Sequence, residues 1–250
     1  MTQITSQTDT PNAFQKLKMQ RLEDGTKPFL ARGASVIRCQ RCQLSNEACL
    51  CTWRRSMKSD IDIVLLMHDQ EILKPTNTGR LIADCFPENC HAFQWSRTEP
   101  DIELMSLIND PSRQCFILFP GEFRAERQVY RAPSSDTLNT LCDGKTPTIL
   151  LLDGTWKQAR KMYLSKWLHA LPTLSLEPGS LARYQLRQAP KEHQLSTAEA
   201  GMMVLNAFGQ TRQANLLARY FDLFNHHYQA VRDTKTPDIN HLHQAMKSIE

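Results

Sequence analysis

Thr148-Ile149-Leu150-Leu151-Leu152 runs without a polar break into Asp153-Gly154-Thr155-Trp156, followed by Lys157-Gln158-Ala159-Arg160-Lys161. The apolar run predicts a strand covered on both faces, because a half-exposed strand would alternate polar and apolar side chains. Gly154 supplies a sharp turn, and Thr155 is a good N-cap for a helix beginning at Trp156. The stretch therefore reads as strand, turn, helix, with a carboxylate at the strand tip. In open α/β sheets that is where ligands bind. A plainer reading is also available, in which Asp-Gly is an ordinary turn and Asp153 only caps the helix.

On either side of this corner the same grammar repeats. Further strands are predicted over 61–67, 92–95, 115–119 and 173–176, beside the 148–152 strand. Helices are predicted over 78–85, 102–108, 156–168, 197–208 and 213–231. Strands of this kind alternating with helices indicate an α/β domain with a mostly parallel sheet and helices on both faces. Trp156, Arg160, Tyr163 and Trp167 recur at helical spacing, an aromatic and basic face suited to stacked bases and phosphates, or else plain core. Residues 14–22 carry too few apolar side chains to predict an amphipathic helix.

Charge is distributed unevenly. The net charge of +4 arises from an excess of +6 in residues 1–58 and a deficit of −2 in the rest. Within the latter, residues 151–191 hold seven basic side chains and two acidic ones. Basic segments on a near-neutral body suit a polyanion, since phosphate contacts supply much of nucleic-acid affinity. No apolar run approaches the roughly 18 residues of a membrane span. Met1 to Gln15 shows no secretory pattern, so a cytoplasmic location is expected and no membrane partner.

Four of the eight cysteines, Cys39, Cys42, Cys49 and Cys51, fall within thirteen residues. Four thiolates on tight turns suit a structural zinc, with a [4Fe–4S] cluster or reduced thiols as alternatives. Arg54 and Arg55 flank the ligands and are candidate RNA contacts, and Trp53 is either a lid on the metal or a base platform. Four units are expected: an extension over 1–33, partly disordered; the four-cysteine zinc module over 34–57; the α/β domain over 58–235; and a tail over 236–250.

Leu152-Asp153-Gly154-Thr155-Trp156 resembles the naming element, Asp-x-Thr-Trp, of the DTW-domain family. The cysteine cluster, Asn77-Thr78-Gly79-Arg80-Leu81-Ile82-Ala83-Asp84, Gln94-Trp95-Ser96-Arg97-Thr98-Glu99-Pro100 and Ser196-Thr197-Ala198-Glu199-Ala200 are similar, in this order, to its bacterial branch of tRNA-uridine aminocarboxypropyltransferases. Pro28-Phe29-Leu30-Ala31-Arg32-Gly33 fits as well, so the resemblance covers roughly 27–232. It implies a SPOUT-like knotted fold. It also implies transfer of the 3-amino-3-carboxypropyl group from S-adenosylmethionine to N3 of a tRNA uridine, at position 47 of the variable loop, with release of methylthioadenosine. No obligate protein partner is implied.

Such chemistry needs a group that takes the uridine proton, and Asp153 is the candidate. Phe119, Pro120 and Gly121 at one strand end, Thr155 and Trp156 at the corner, and Ser196, Thr197 and Glu199 are candidates for the donor. Lys157, Arg160, Arg183 and Arg187 join Arg54 and Arg55 as candidates for the tRNA backbone. His68 and Glu122 carry little functional weight, and Lys191 could grip phosphate or be a solvated charge. Two other functions fit the residues less fully: a SPOUT-type RNA methyltransferase, and a non-catalytic zinc protein that binds RNA.

Overall fold

Strand pairing runs one way throughout the sheet. The structure, a computed structural model, describes residues 10–25, 36–120, 127–176 and 195–249. Six strands pair in the order β2-β1-β5-β3-β6-β4, every neighbour parallel. They are β1 (Asp62–Met67), β2 (Cys90–Gln94), β3 (Arg113–Leu118), β4 (Val129–Arg131), β5 (Thr146–Asp153) and β6 (Thr173–Ser175). The α/β prediction with a parallel sheet therefore holds.

Alternate residues of the central strands feed two separate cores. Ile63, Leu65, Met67, Ile149 and Leu151 face one side. That side is closed by α1 (Ala13–Glu23), α3 (Gly79–Cys85), α5 (Ser135–Cys142), α7 (Thr197–Ala207), α8 (Thr211–Arg232) and α9 (His241–Lys247). Val64, Leu66, Ile117 and Leu150 face the other, beneath α4 (Ile102–Ile108) and α6 (Trp156–Tyr163). Burial on both faces explains why these strands read as unbroken apolar runs. Among the described residues, no helix is long and apolar enough to cross a membrane.

Several elements differ from expectation. Residues 13–23 form a helix after all, because Asn12 and Gln15 make a reciprocal capping box and Phe14 and Leu17 are buried. The helix predicted over 156–168 ends at Tyr163; Ser165, whose hydroxyl takes the Trp95 indole N–H, precedes a short 3₁₀ turn at Lys166–Leu168. Residues 241–247, within the expected tail, form α9, with His243 and Met246 buried against the rest of the chain.

The order of the strands creates a crevice. From β1 the chain crosses to β2 on one side; from β5 it crosses to β6 on the other. β1 and β5 are nonetheless neighbours, with Met67 in register with Asp153. Their carboxyl ends are the switch point at which parallel α/β sheets open to a ligand. A four-residue turn of helix, α2 (Asp69–Ile72), follows β1 there.

Candidate active site and metal centre

Asp153, the last residue of β5, is 4% exposed. Its Oδ2 accepts the side-chain N–H of Asn77 at 2.9 Å, and the Thr197 hydroxyl also bonds to the carboxylate. The orientation of Asn77 follows from its other bond, because its Oδ1 accepts the backbone N–H of Arg80. That leaves the amide N–H group facing Asp153. Gly79 makes this approach possible. A Cβ there would lie 2.6 Å from Asp153 Oδ2 and 3.3 Å from Asn77 Oδ1.

Burial pushes the Asp153 carboxyl up to about 6. Asn77 opposes this, the Glu71 charge adds to it, and Thr197 and Lys74 oppose it. Desolvation wins because, among the described residues, the hydrogen-bond donors that reach Asp153 are neutral. A carboxyl group poised there can accept a proton at neutral pH and return it. The cap reading fails on geometry. Thr155 caps α6, its hydroxyl accepting Gln158 N–H while the Gln158 side chain bonds back to Thr155 N–H.

Other side chains gather around the crevice. Leu118 is in register with Leu151, so Phe119 and Pro120 leave the sheet beside the Asp153 strand. Trp156, Phe119 and Tyr163 stack in a column, with centroids 5.3 and 4.2 Å apart and planes within 4° and 12°. The stripe predicted on this helix is thus divided: Trp156 is 43% exposed, while Tyr163 is buried with its hydroxyl 2.9 Å from that of Thr173. His68 sits on the other flank. Its backbone N–H donates to the Asp153 carbonyl, its Nδ1 lies 3.2 Å from the Gln158 side-chain nitrogen, and its ring stacks on Trp95.

The structure therefore brings Asp153, Thr155, Trp156, Phe119, Pro120 and Thr197 to one edge of the sheet. Ser196 and Glu199 start α7 nearby, but their side chains are taken up by its capping box. Ala198 N–H donates to the Thr78 hydroxyl, which joins the starts of α7 and α3. Lys157 and Arg160 lie exposed on α6 beside the corner. Arg55 is partly buried and donates to the Thr52 and Arg54 carbonyls. Arg54 turns inward instead: its side chain is 12% exposed and paired at 3.5 Å with buried Asp84, so we leave it out of the RNA surface. Gly121, Glu122, Arg183, Arg187, Lys191 and the 28–33 motif lie outside the described residues.

Sequence pattern alone assigns no role to Asn77 or Gly79 and little weight to His68. Asn77-Thr78-Gly79-Arg80 stands out only as a family motif. A β1 strand ending in a polar loop opposite Asp153 is the available signal for His68.

The four clustered cysteines converge. Their Sγ atoms all lie within 4.8 Å of one another, with Cys39–Cys51 at 3.6 Å and Cys42–Cys49 at 3.7 Å. Tetrahedral zinc with bonds of roughly 2.3 Å needs sulfurs about 3.8 Å apart, so the donor set fits. The first pair sits on a tight knuckle, in which Gln43 takes a left-handed φ of 58° and Cys39 N–H donates to the Leu44 carbonyl. The second pair sits on successive 3₁₀ turns, Asn46–Ala48 and Cys51–Trp53. The Cys42 thiol is drawn down to about 4, chiefly by its sulfur contact with Cys51, whose own thiol that contact pushes far up.

Trp53, two residues after Cys51, lies edge-on to His243, with the Lys247 ammonium 5.3 Å from its ring. Beneath it, His227 and His243 meet through their Nε2 atoms at 3.0 Å, and His227 Nδ1 donates to the Ala48 carbonyl. Cys42, Leu44, Ala48 and Leu50 belong to the same core as α8 and α9. The module is therefore built onto the domain rather than hung beside it.

These features define a parallel α/β domain with a buried carboxylate at its switch point and a four-cysteine centre on one face. The profile of the DTW domain matches residues 36–229, and the chain belongs to the DTW-domain family. Among curated relatives, it is 28% identical over 181 residues to tRNA-uridine aminocarboxypropyltransferase 2 of Mus musculus. It is 27% identical over 181 residues to the protein of the same name from Macaca fascicularis. Each match covers 67% of this chain and 55% of the relative, so the chain spans about half the length of the curated relatives it matches. No solved structure matches it.

Proposed function

We propose that the protein transfers the 3-amino-3-carboxypropyl group of S-adenosylmethionine to N3 of a tRNA uridine, the variable-loop uridine at position 47. One observation carries the reading. The carboxylate in the family's naming motif is buried at the sheet's switch point, and that burial pushes its carboxyl up to about 6.

In the reaction, Asp153 takes the N3 proton as the N3–Cγ bond forms. The Cγ–S bond breaks, its electron pair stays on sulfur, and neutral methylthioadenosine leaves. The leaving group needs no acid, so one carboxylate suffices. Asn77 and Thr197 hold Asp153 against rotation, which preserves alignment in a step governed by orientation. Phe119 and Trp156 offer an aromatic wall for the donor's adenine, and Lys157 and Arg160 offer charge to the tRNA backbone. Zinc at the four cysteines, when bound, would serve the fold, since four thiolates leave it no open position for chemistry.

The test is to incubate the purified protein with S-adenosylmethionine and unmodified tRNA, then analyse nucleosides and small molecules by mass spectrometry. Aminocarboxypropyluridine with an equal amount of methylthioadenosine is expected. Methylated uridine with adenosylhomocysteine would mean that the donor is turned the other way, as in a methyltransferase. Neither product, with tRNA still bound, would leave an RNA-binding protein.

A further inference from the structure

The carboxyl ends of four neighbouring strands put Trp95, His68, Asp153 and Phe119 in a row, in the order β2, β1, β5, β3. Two backbone bonds hold the first three together. Trp95 N–H donates to the Met67 carbonyl at 2.8 Å, and His68 N–H donates to the Asp153 carbonyl at 2.9 Å. Neighbouring strands stand about 4.8 Å apart, so the His68 side chain starts one strand away from the Asp153 side chain. The transfer reaction uses Asp153 and the Phe119 flank, and leaves the His68 flank without a task.

The His68 ring is held in one tautomer. Gln158 Oε1 accepts the backbone N–H and the hydroxyl of Thr155, at 2.7 and 2.8 Å. Its amide nitrogen is therefore the atom that stands 3.2 Å from His68 Nδ1 and 3.2 Å from Gln70 Oε1. An amide nitrogen only donates, so Nδ1 accepts, and the Gln70 backbone N–H reaches the same atom at 3.3 Å. The proton of the neutral imidazole then sits on Nε2. That N–H makes no hydrogen bond among the described residues. Trp95 stacks on the ring with centroids 6.0 Å apart, and is itself pinned by its indole N–H on the Ser165 hydroxyl.

We propose that His68 is a second catalytic residue, whose neutral Nε2–H donates to a carbonyl oxygen of the substrate uracil. Gln158 is the positioning residue that keeps the proton on Nε2. The assignment rests on the transfer reaction proposed for Asp153. In uracil, N3–H lies between two ring carbonyls. As Asp153 takes the N3 proton, negative charge spreads from N3 onto those oxygens until the N3–Cγ bond takes up the electron pair. A donor aimed at one of them strengthens in the transition state, while its own proton stays on Nε2. A neutral donor suits a carbonyl; phosphate is better met by charged groups such as Lys157 and Arg160.

The experiment measures single-turnover transfer to unmodified tRNA for wild type, His68→Asn and His68→Gln, with donor and tRNA affinities alongside. The short Asn amide can meet Gln158 and Gln70 in place of Nδ1 but stops short of Nε2, which the Gln amide reaches. His68→Asn should lose about 10²–10³ in rate, the cost of removing one such donor, with both affinities within about threefold of wild type. His68→Gln should recover at least about tenfold of that loss. Replacing one uracil oxygen by sulfur, a poor acceptor, should slow wild type more than it slows His68→Asn. Equal rates for His68→Asn and wild type, or equal sulfur effects in both at each oxygen, would overturn the assignment and leave the transfer reaction standing. A wild type that makes no aminocarboxypropyluridine would overturn both. Should neither variant fold, long-range proton–nitrogen NMR spectra of wild type decide: His68 should be protonated on Nε2, and a ring protonated on Nδ1 alone would overturn the assignment. In Gln158→Leu the same spectra should show mixed tautomers, and an unchanged His68 signal would overturn the positioning role of Gln158.

Discussion

At the scale of single residues, burial of the Asp153 carboxyl carries a stability penalty that depends on pH. The folded Asp153 carboxyl titrates at about 6 against 3.8 for a free side chain, so the folded chain binds its proton more tightly than the unfolded chain does. Stability from this group therefore falls as pH rises between about 4 and 6, and the full penalty of roughly 2–3 kcal/mol persists above that range. Asp153→Asn removes the ionisation and can still accept from Asn77. We expect it to be more stable than wild type by about 1–3 kcal/mol near pH 7.5, with the difference vanishing below about pH 4 in urea titrations. Gly79→Ala acts in the opposite sense on function. Its methyl would stand 2.6 Å from Asp153 Oδ2, flanked by Asn77 and Thr197, so the carboxylate must move. Turnover should drop by about two orders of magnitude, because misplacement of about 1 Å costs that much. Unaltered turnover in steady-state assays would show that the carboxylate position is not critical.

At the scale of elements, three helices converge on the two sites, and their spacing is set by small residues. A Cβ at Gly201 of α7 would meet Ile82 Cδ1 of α3 at 2.8 Å and Leu217 Cδ2 of α8 at 3.3 Å. Gly201→Ala should cost about 1–3 kcal/mol by overpacking, measured in thermal or urea unfolding; a neutral result would mean that these helices can slide apart cheaply. The central strands and long helices were legible because their apolar pattern is dictated by burial on two faces. The elements that escaped are held by something else. β4 is a three-residue edge strand whose one strand neighbour among the described residues is β6. α5 is rich in Ser, Thr and Asn, which locally favour turns, and Leu138 and Cys142 on it are buried. α9 carries two histidines and reads as a polar tail. His243 nevertheless packs on Trp53 and His227, a contact between parts of the chain that local pattern cannot show.

At the scale of the molecule, the candidate site lies at the carboxyl edge of the sheet and the cysteine cluster packs into the core on one face, and α3 borders both, through Gly79 beside Asp153 and through Asp84 paired with Arg54. The motifs were legible as motifs; what joined them was not. Asn77 bonds to Asp153 across 76 positions, and Ala198 bonds to Thr78 across 120. Lys157 and Arg160 beside the corner predict tRNA binding that weakens with salt, log affinity falling by roughly 0.7–0.9 per phosphate contact for each tenfold rise. Lys157→Glu should lower tRNA affinity and flatten that slope while leaving donor affinity intact. Equal affinities in filter binding would move the RNA surface away from α6.

Everything proposed for the transfer step turns on Asp153 taking the proton. The deciding measurement is the single-turnover rate of wild type and of Asp153→Asn across pH, with donor affinity determined in parallel. The wild-type rate should show an acid limb near pH 6, where the carboxyl titrates. The variant should lose about 10²–10⁴ in rate with donor affinity nearly unchanged. A variant as fast as wild type, or a wild-type rate with no acid limb near that pH, would remove Asp153 from the proton transfer.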